Sequence, residues 1–162
     1  QLIRSWTAIA GEFPDWTVKI FGVGPQLKEL KDAIRQLGMG GKINLAGHRS
    51  DLSEEYAKAS IFCHPAHFEG FGLSPAEALF LETPVVFYKD CPGVNEFVKD
   101  GFNGLAVERS DVSDGLADGL RKLITDAHLR RTLGGNGPQS VSHFTFDKYV
   151  SSWVDLIEST GA

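Results

Sequence analysis

Cysteine is scarce in this chain of 162 residues, where Cys63 and Cys91 form no CxxC pair and share no ligand spacing with a histidine. That argues against a disulfide scaffold and against a structural zinc site. Two such thiols suit a reducing cytosol. Long apolar runs are missing as well, so neither a transmembrane segment nor a signal peptide is read from the chain. Basic clusters are missing too: 16 Lys and Arg stand against 21 Asp and Glu, a formal net charge of -5, with no basic stripe. Nucleic acid is therefore not an expected partner, since gripping its phosphates requires clustered cations that release counterions. The P-loop pattern GxxxxGK[ST], the hydrolase elbow GxSxG and a metal-bridging DxD are all absent. What remains is an ordinary globular composition, 42% hydrophobic and 23% charged, in a length that fits one domain with a real core.

The apolar periodicity alternates between helix and strand. In "QLIRSWTAIAGEF", Leu2, Ile3, Trp6, Ile9, Ala10 and Phe13 recur at helical spacing, and Pro14 closes the element. A strand over Thr17 to Phe21 and a helix from about Pro25 to Leu37 follow. "INLAG" reads as a strand, "DLSEEYAKA" as a short helix opened by Asp51, and "SIFCHP" as another strand. Next come a helix from about Ser74 to Leu81, the strand "PVVFY", a short helix near Asn95 to Val98, the strand "GLAV", and a helix from about Asp111 to Asp126. A helix over Phe146 to Ser159 finishes the chain. Near-continuous apolar strands separated by helices imply an α/β fold, a doubly wound Rossmann-like parallel sheet with helices on both faces.

In such sheets ligands bind beyond the carboxyl ends of the strands, which directs attention to the loops there. "GVGPQL" lacks the third glycine of a dinucleotide fingerprint and reads first as a strand-to-helix turn needing positive φ at Gly22 or Gly24. "HFEGFGLSPAEAL" is richer. It places Glu69 and Glu77 on either side of Gly70 and Gly72, beside a helix start that attracts anions. Glu77 has a structural alternative, because Ser74-Pro75-Ala76-Glu77 matches a capping box. Glu69 has no such explanation. Two carboxylates repel phosphate but accept hydrogen bonds from hydroxyls, so a sugar joined to a phosphate would satisfy both halves of the stretch. His64 and His67 lack a third ligand at suitable spacing and are not read as a metal pair. Glu96 fits a helix start as well as a ligand contact. Arg49 can pair with Asp51 or contact a nucleotide, the local pair being favoured.

These residues carry a resemblance. "HFEGFGLSPAEALFLETPVVFYKDCPGVNEFVKDGFNGLAVE" resembles the nucleotide-sugar site of retaining family 4 glycosyltransferases of the GT-B superfamily, through E-x7-E at Glu69 and Glu77, the "EGFGL" turn, the "TPVV" strand, Gly93 to Glu96, and "DGFNGLAV". "FPDWTVKIFGVGP", "INLAG", "RRTLGGNG" and "FTFDKY" extend it over nearly the whole chain. The resemblance implies that residues 1–162 are the Rossmann-like C-terminal, donor-binding half of a two-domain enzyme whose N-terminal acceptor domain is not in this sequence. It implies sugar transfer from a nucleoside diphosphate sugar to an acceptor hydroxyl with retained configuration. Glu69, the candidate catalytic-site residue, would contact donor sugar hydroxyls, and Glu77 would hold the ribose. Backbone amides of Gly70, Phe71, Gly72 and Leu73 would meet sugar and diphosphate, with Gly47, His48 and Arg49 near the base. No cofactor and no metal are expected, and front-face attack assisted by the leaving phosphate makes Glu69 no general base.

Members of that family open this half with a strand and a loop bearing an arginine and a lysine for the diphosphate. Here the chain begins in the following helix, so the first strand and both cations are expected to be lacking. A gap or unpaired edges should result, and the chain alone should not catalyse transfer. Glu82 stands where the family often has glycine, read here as a different turn, and His64 replaces a more commonly apolar residue. The competing classes are a noncatalytic nucleotide-sugar binding module and a nucleotide-sugar epimerase on the same fold. A cytoplasmic setting is expected, with any membrane attachment residing in the missing domain.

Overall fold

The computed structural model describes residues 1–109 and 114–161. Among the described residues five strands form where the short apolar runs lie: β1 (Val18–Phe21), β2 (Ile43–Gly47), β3 (Phe62–His64), β4 (Val85–Tyr88) and β5 (Gly104–Val107). Helices α2 (Leu27–Gln36), α3 (Ser53–Lys58), α4 (Leu73–Phe80) and α5 (Val94–Phe97) connect them, α1 (Leu2–Ile9) precedes them, and α6 (Gly115–Thr125), α7 (Ala127–Gly135), α8 (Gly137–Val141) and α9 (Phe146–Ser159) follow. Every pairing among these five strands is parallel. β4 pairs on both sides, with β3 and with β5, and all four of its residues are buried. Its unbroken apolar run is what a strand covered on both faces requires.

The described strands do not make one sheet. β1 and β2 form a two-stranded sheet, and β3, β4 and β5 form another in that order. The interruption therefore falls between the β1–β2 pair and the β3–β4–β5 sheet. Two apolar cores match the two sheets: one contains Leu79, Phe87, Leu116, Leu123 and Leu133, the other Trp6, Ile9, Ile34, Ile43 and Leu120. Ile61 and Cys63 touch both. So does α6, because helical spacing turns Leu116 and Leu123 toward one core and Ala117, Leu120 and Ile124 toward the other. Its cap adds a polar tie, for the Asp114 side chain accepts from the Ala117 amide at 3.2 Å and from the Ser5 hydroxyl at 2.8 Å.

Three differences from the sequence expectations are local. α6 starts at Gly115, and expected helical positions 111 to 113 lie outside the described residues. "RRTLGGNG" spans α7 and the start of α8, which had not been anticipated as helices; α8 packs on α4. α9 occupies the expected range, yet none of its residues is buried, and Phe146, Tyr149, Trp153, Leu156 and Ile157 are exposed. No described helix is long and apolar enough to cross a membrane.

Candidate functional site

β3 ends at His64, and the chain then runs through the loop that carries Glu69 into α4. Entry into the helix is made by Gly72 at φ 91, and no side chain caps it. The capping-box reading is thereby corrected. Ser74 lies inside the helix, because the left-handed glycine rather than a serine turns the chain, and Pro75 sits in the first turn where an amide would have no intrahelical partner. Glu77, released from a capping role, is exposed on α4. It stands beside Tyr56: burial pushes the Tyr56 phenol above its usual range, and the negative charge of Glu77 pushes it further.

The next loop packs closely against the backbone of Glu69. Gly93 has φ 78, and a Cβ there would lie 2.5 Å from the Glu69 carbonyl oxygen and 2.9 Å from that of Gly70. Only glycine permits that approach. Phe71 anchors the turn from below, its ring centroid 5.3 Å from that of Phe97 and 4.8 Å from that of Phe144. The Glu69 side chain remains partly exposed, and its Oε2 lies 3.9 Å from Nε2 of the buried His64. Burial lowers the His64 pKa more than Glu69 raises it, so the imidazole is neutral at pH 7 and the contact is not an ion pair. Glu96 stands exposed in the first turn of α5, its amide donating to the Gly93 carbonyl at 3.3 Å.

A second rim is built at the carboxyl end of β2. Gly47, at φ 72, accepts from the Gly22 amide at 2.8 Å, which ties the loops after β1 and β2 together. Of the two glycines in "GVGP", Gly22 carries the positive φ, at 128, as the turn reading requires. His48 and Arg49 are exposed. The expected pair of Arg49 with Asp51 is not formed: Arg49 instead meets Glu55 at 3.0 Å and lies 5.8 Å from the Phe21 ring. Asp51 accepts from the Ser53 amide at 2.8 Å. The link between the two rims runs through α3, whose Glu55 faces Arg49 while the adjacent Tyr56 faces Glu77.

One cluster at the same strand ends escaped sequence reasoning. Arg109, just after β5, donates from Nε and NH2 to the two carboxylate oxygens of Asp90, each at 3.1 Å, and NH1 lies 2.6 Å from Nδ1 of His67. Its guanidinium carbon lies 3.9 Å from the Tyr88 ring centroid. Three loops are joined in this way. No motif announces the cluster, since its members come from positions 67, 88, 90 and 109. Among the described residues no group of three or more His, Cys, Asp and Glu is placed to hold a metal ion.

Residues 1–140 match the family of group 1 glycosyl transferases, and the chain belongs to that family. An uncharacterized glycosyltransferase of Haemophilus influenzae is 27% identical over 156 residues, which is 96% of this chain and 44% of the relative. The poly(glycerol-phosphate) alpha-glucosyltransferase of Bacillus subtilis is 26% identical over 152 residues, 94% of this chain and 22% of the relative. Among solved structures, Anabaena HepE in complex with UDP superposes with a TM-score of 0.86 at 24% identity, covering 98% of this chain and 44% of that one. The shared fold is that of GT-B glycosyltransferases. The chain spans less than half the length of these proteins.

Proposed function

We propose that this chain is the donor-binding, C-terminal half of a family 4 retaining glycosyltransferase. It would move a hexosyl group from a nucleoside diphosphate sugar to an acceptor hydroxyl. The observation that carries the proposal is the Glu69 to Glu77 stretch: two accessible carboxylates bracket a glycine-led helix start at the carboxyl end of β3, with Gly93 clearing the backbone beside them. Carboxylates take the hydroxyls, and the amides of Gly70, Phe71, Gly72 and Leu73 face the diphosphate. Gly47, His48 and Arg49 border the base. As the glycosidic bond breaks, the sugar gains oxocarbenium character and the diphosphate gains negative charge. Preorganised amide dipoles at the α4 start stabilise that charge, and positioning supplies much of the rest. No metal or other cofactor is assigned to the step, and Glu69 orients the sugar rather than acting as a base.

Two features support a missing domain and strand. The interruption between the two sheets leaves room in the topology for a central strand, and the exposed apolar side chains of α9 need a cover. The UDP in the Anabaena structure supports uridine as the base to try first. The working setting is the cytoplasm, where nucleotide sugars are made. The test is a titration of UDP, GDP and ADP, each with and without an attached sugar, against the native protein and its Glu77→Ala variant by protein-observed NMR. One nucleotide should shift residues 69 to 77, and Glu77→Ala should weaken it. A null result with every nucleotide on the full-length protein would sink the donor-site reading.

A further inference from the structure

His64 is the last residue of β3, at the strand end where the candidate site opens. Only 7% of its surface is exposed, and its ring stacks on Phe62 with centroids 6.3 Å apart and planes at 26°. The imidazole is therefore fixed by packing. Its Nε2 is buried and has no hydrogen-bond partner, although buried ring nitrogens are normally paired. The carboxylate of Glu69 faces it at 3.9 Å, just outside hydrogen-bond reach. Gly93 packs closely against the Glu69 carbonyl, and the partly exposed Glu69 side chain is the part with room to turn.

We propose that His64 is a positioning residue for the donor sugar: its Nε2–H takes one oxygen of Glu69 when ligand enters and leaves the other oxygen for sugar hydroxyls. This inference rests on the donor-site reading above. A neutral imidazole can carry its proton on Nε2, and a facing carboxylate favours that tautomer. The device also addresses an electrostatic conflict. Glu69 lies a few residues before a helix start whose amides attract anions, and a carboxylate free to swing would compete with phosphate for them. Held by His64, it stays on the sugar side. An apolar residue at position 64 could fill the same volume but could not hold the carboxylate.

The test compares bare nucleotides with sugar nucleotides on the full-length native protein. UDP, UDP-glucose, UDP-N-acetylglucosamine, GDP and GDP-mannose are titrated against wild type, His64→Leu, His64→Gln, Glu69→Ala and the His64→Leu/Glu69→Ala double variant by calorimetry. For the sugar nucleotide that binds, His64→Leu should weaken binding on the order of 10-fold, as expected for losing a hydrogen bond to a charged group, and change the bare nucleotide by less than about 2-fold. Glutamine, whose amide nitrogen sits near the place of Nε2, should recover most of the loss. The double variant should bind no worse than Glu69→Ala. Imidazole nitrogen NMR on the wild type needs no variant to fold: the His64 Nε2 resonance should move with sugar nucleotide and stay put with bare nucleotide. Unchanged sugar-nucleotide affinity in folded His64→Leu, an equal loss for bare nucleotide, or a resonance that answers both ligands alike would overturn the inference. If wild type binds none of the five, the donor-site reading itself falls and this inference falls with it.

Discussion

Arg109 grips Asp90 in a two-pronged pair, Nε to one carboxylate oxygen and NH2 to the other, each at 3.1 Å. The pair closes the loops after β4 and β5 over the Tyr88 ring, and NH1 of the same guanidinium reaches back to His67 on the loop after β3. Arg109 holds the Asp90 carboxyl below its ordinary range, chiefly through that hydrogen bond. A depressed carboxylate pKa contributes stability that is present above the unfolded value, about 3.9, and is lost as pH falls through the folded value. Asp90→Asn should therefore lower the Tm at neutral pH and converge on wild type in strong acid. A melting difference that grows toward low pH would contradict the pairing. Because Asp90 is exposed, the effect at neutral pH should be small and should shrink with added salt.

Gly93→Ala tests whether the loop before α5 shapes the site. The new Cβ would meet the Glu69 carbonyl at 2.5 Å, at φ 78 and ψ -58, a sparsely populated conformation that costs an L residue on the order of 1–3 kcal/mol before any clash. The expected outcome is a destabilisation larger than that figure in urea unfolding, with weakened sugar-nucleotide binding. Retained stability and retained affinity together would mean that the loop yields easily and does not set the position of Glu69.

Asn103 explains why the turn before β5 contains an asparagine. It is fully buried, its Oδ1 accepts from the Lys99 amide at 2.7 Å, and its Nδ2 donates to the Phe97 carbonyl at 2.9 Å and the Ser140 hydroxyl at 2.7 Å. Replacement by leucine leaves those groups without their partner, each worth about 1–3 kcal/mol if it stays buried and unpaired. Asn103→Leu should unfold at markedly lower denaturant concentration, with a loss on the order of 2–4 kcal/mol. A loss below that of a typical surface substitution would show that water takes over the contacts.

Glu82 is the non-glycine residue with positive φ among the described residues, at 60. The turn before "TPVV" is thus one that glycine fits, and the expectation of a different turn is corrected. Left-handed geometry costs glutamate about 1–2 kcal/mol, and glycine gives back up to about 1 kcal/mol through unfolded-chain entropy. Glu82→Gly should therefore be neutral or raise stability by up to about 1 kcal/mol, read as the urea midpoint at constant slope. A clear loss would mean that the Glu82 side chain makes a stabilising contact of its own.

The order of strands and helices was legible because each element is specified by spacing within its own segment: an unbroken apolar run for β4, apolar residues on one side for α1. The Glu69 to Glu77 stretch was legible for the same reason, since its carboxylates, glycines and helix start are contiguous. Contacts between segments were not. Arg49 chose Glu55 over the nearer Asp51, because helix α3 presents Glu55 to the loop after β2 while Asp51 is occupied by the Ser53 amide. The capping box looked complete in one dimension and lost to a glycine at φ 91. The cluster of His67, Tyr88, Asp90 and Arg109 exists because parallel strands deliver the ends of β3, β4 and β5 to one rim, whereas the approach of His64 to Glu69 depends on how the loop after β3 folds back on its own strand end. Local chemistry determines which elements can form and which groups can bind. Long-range packing decides which of those groups meet.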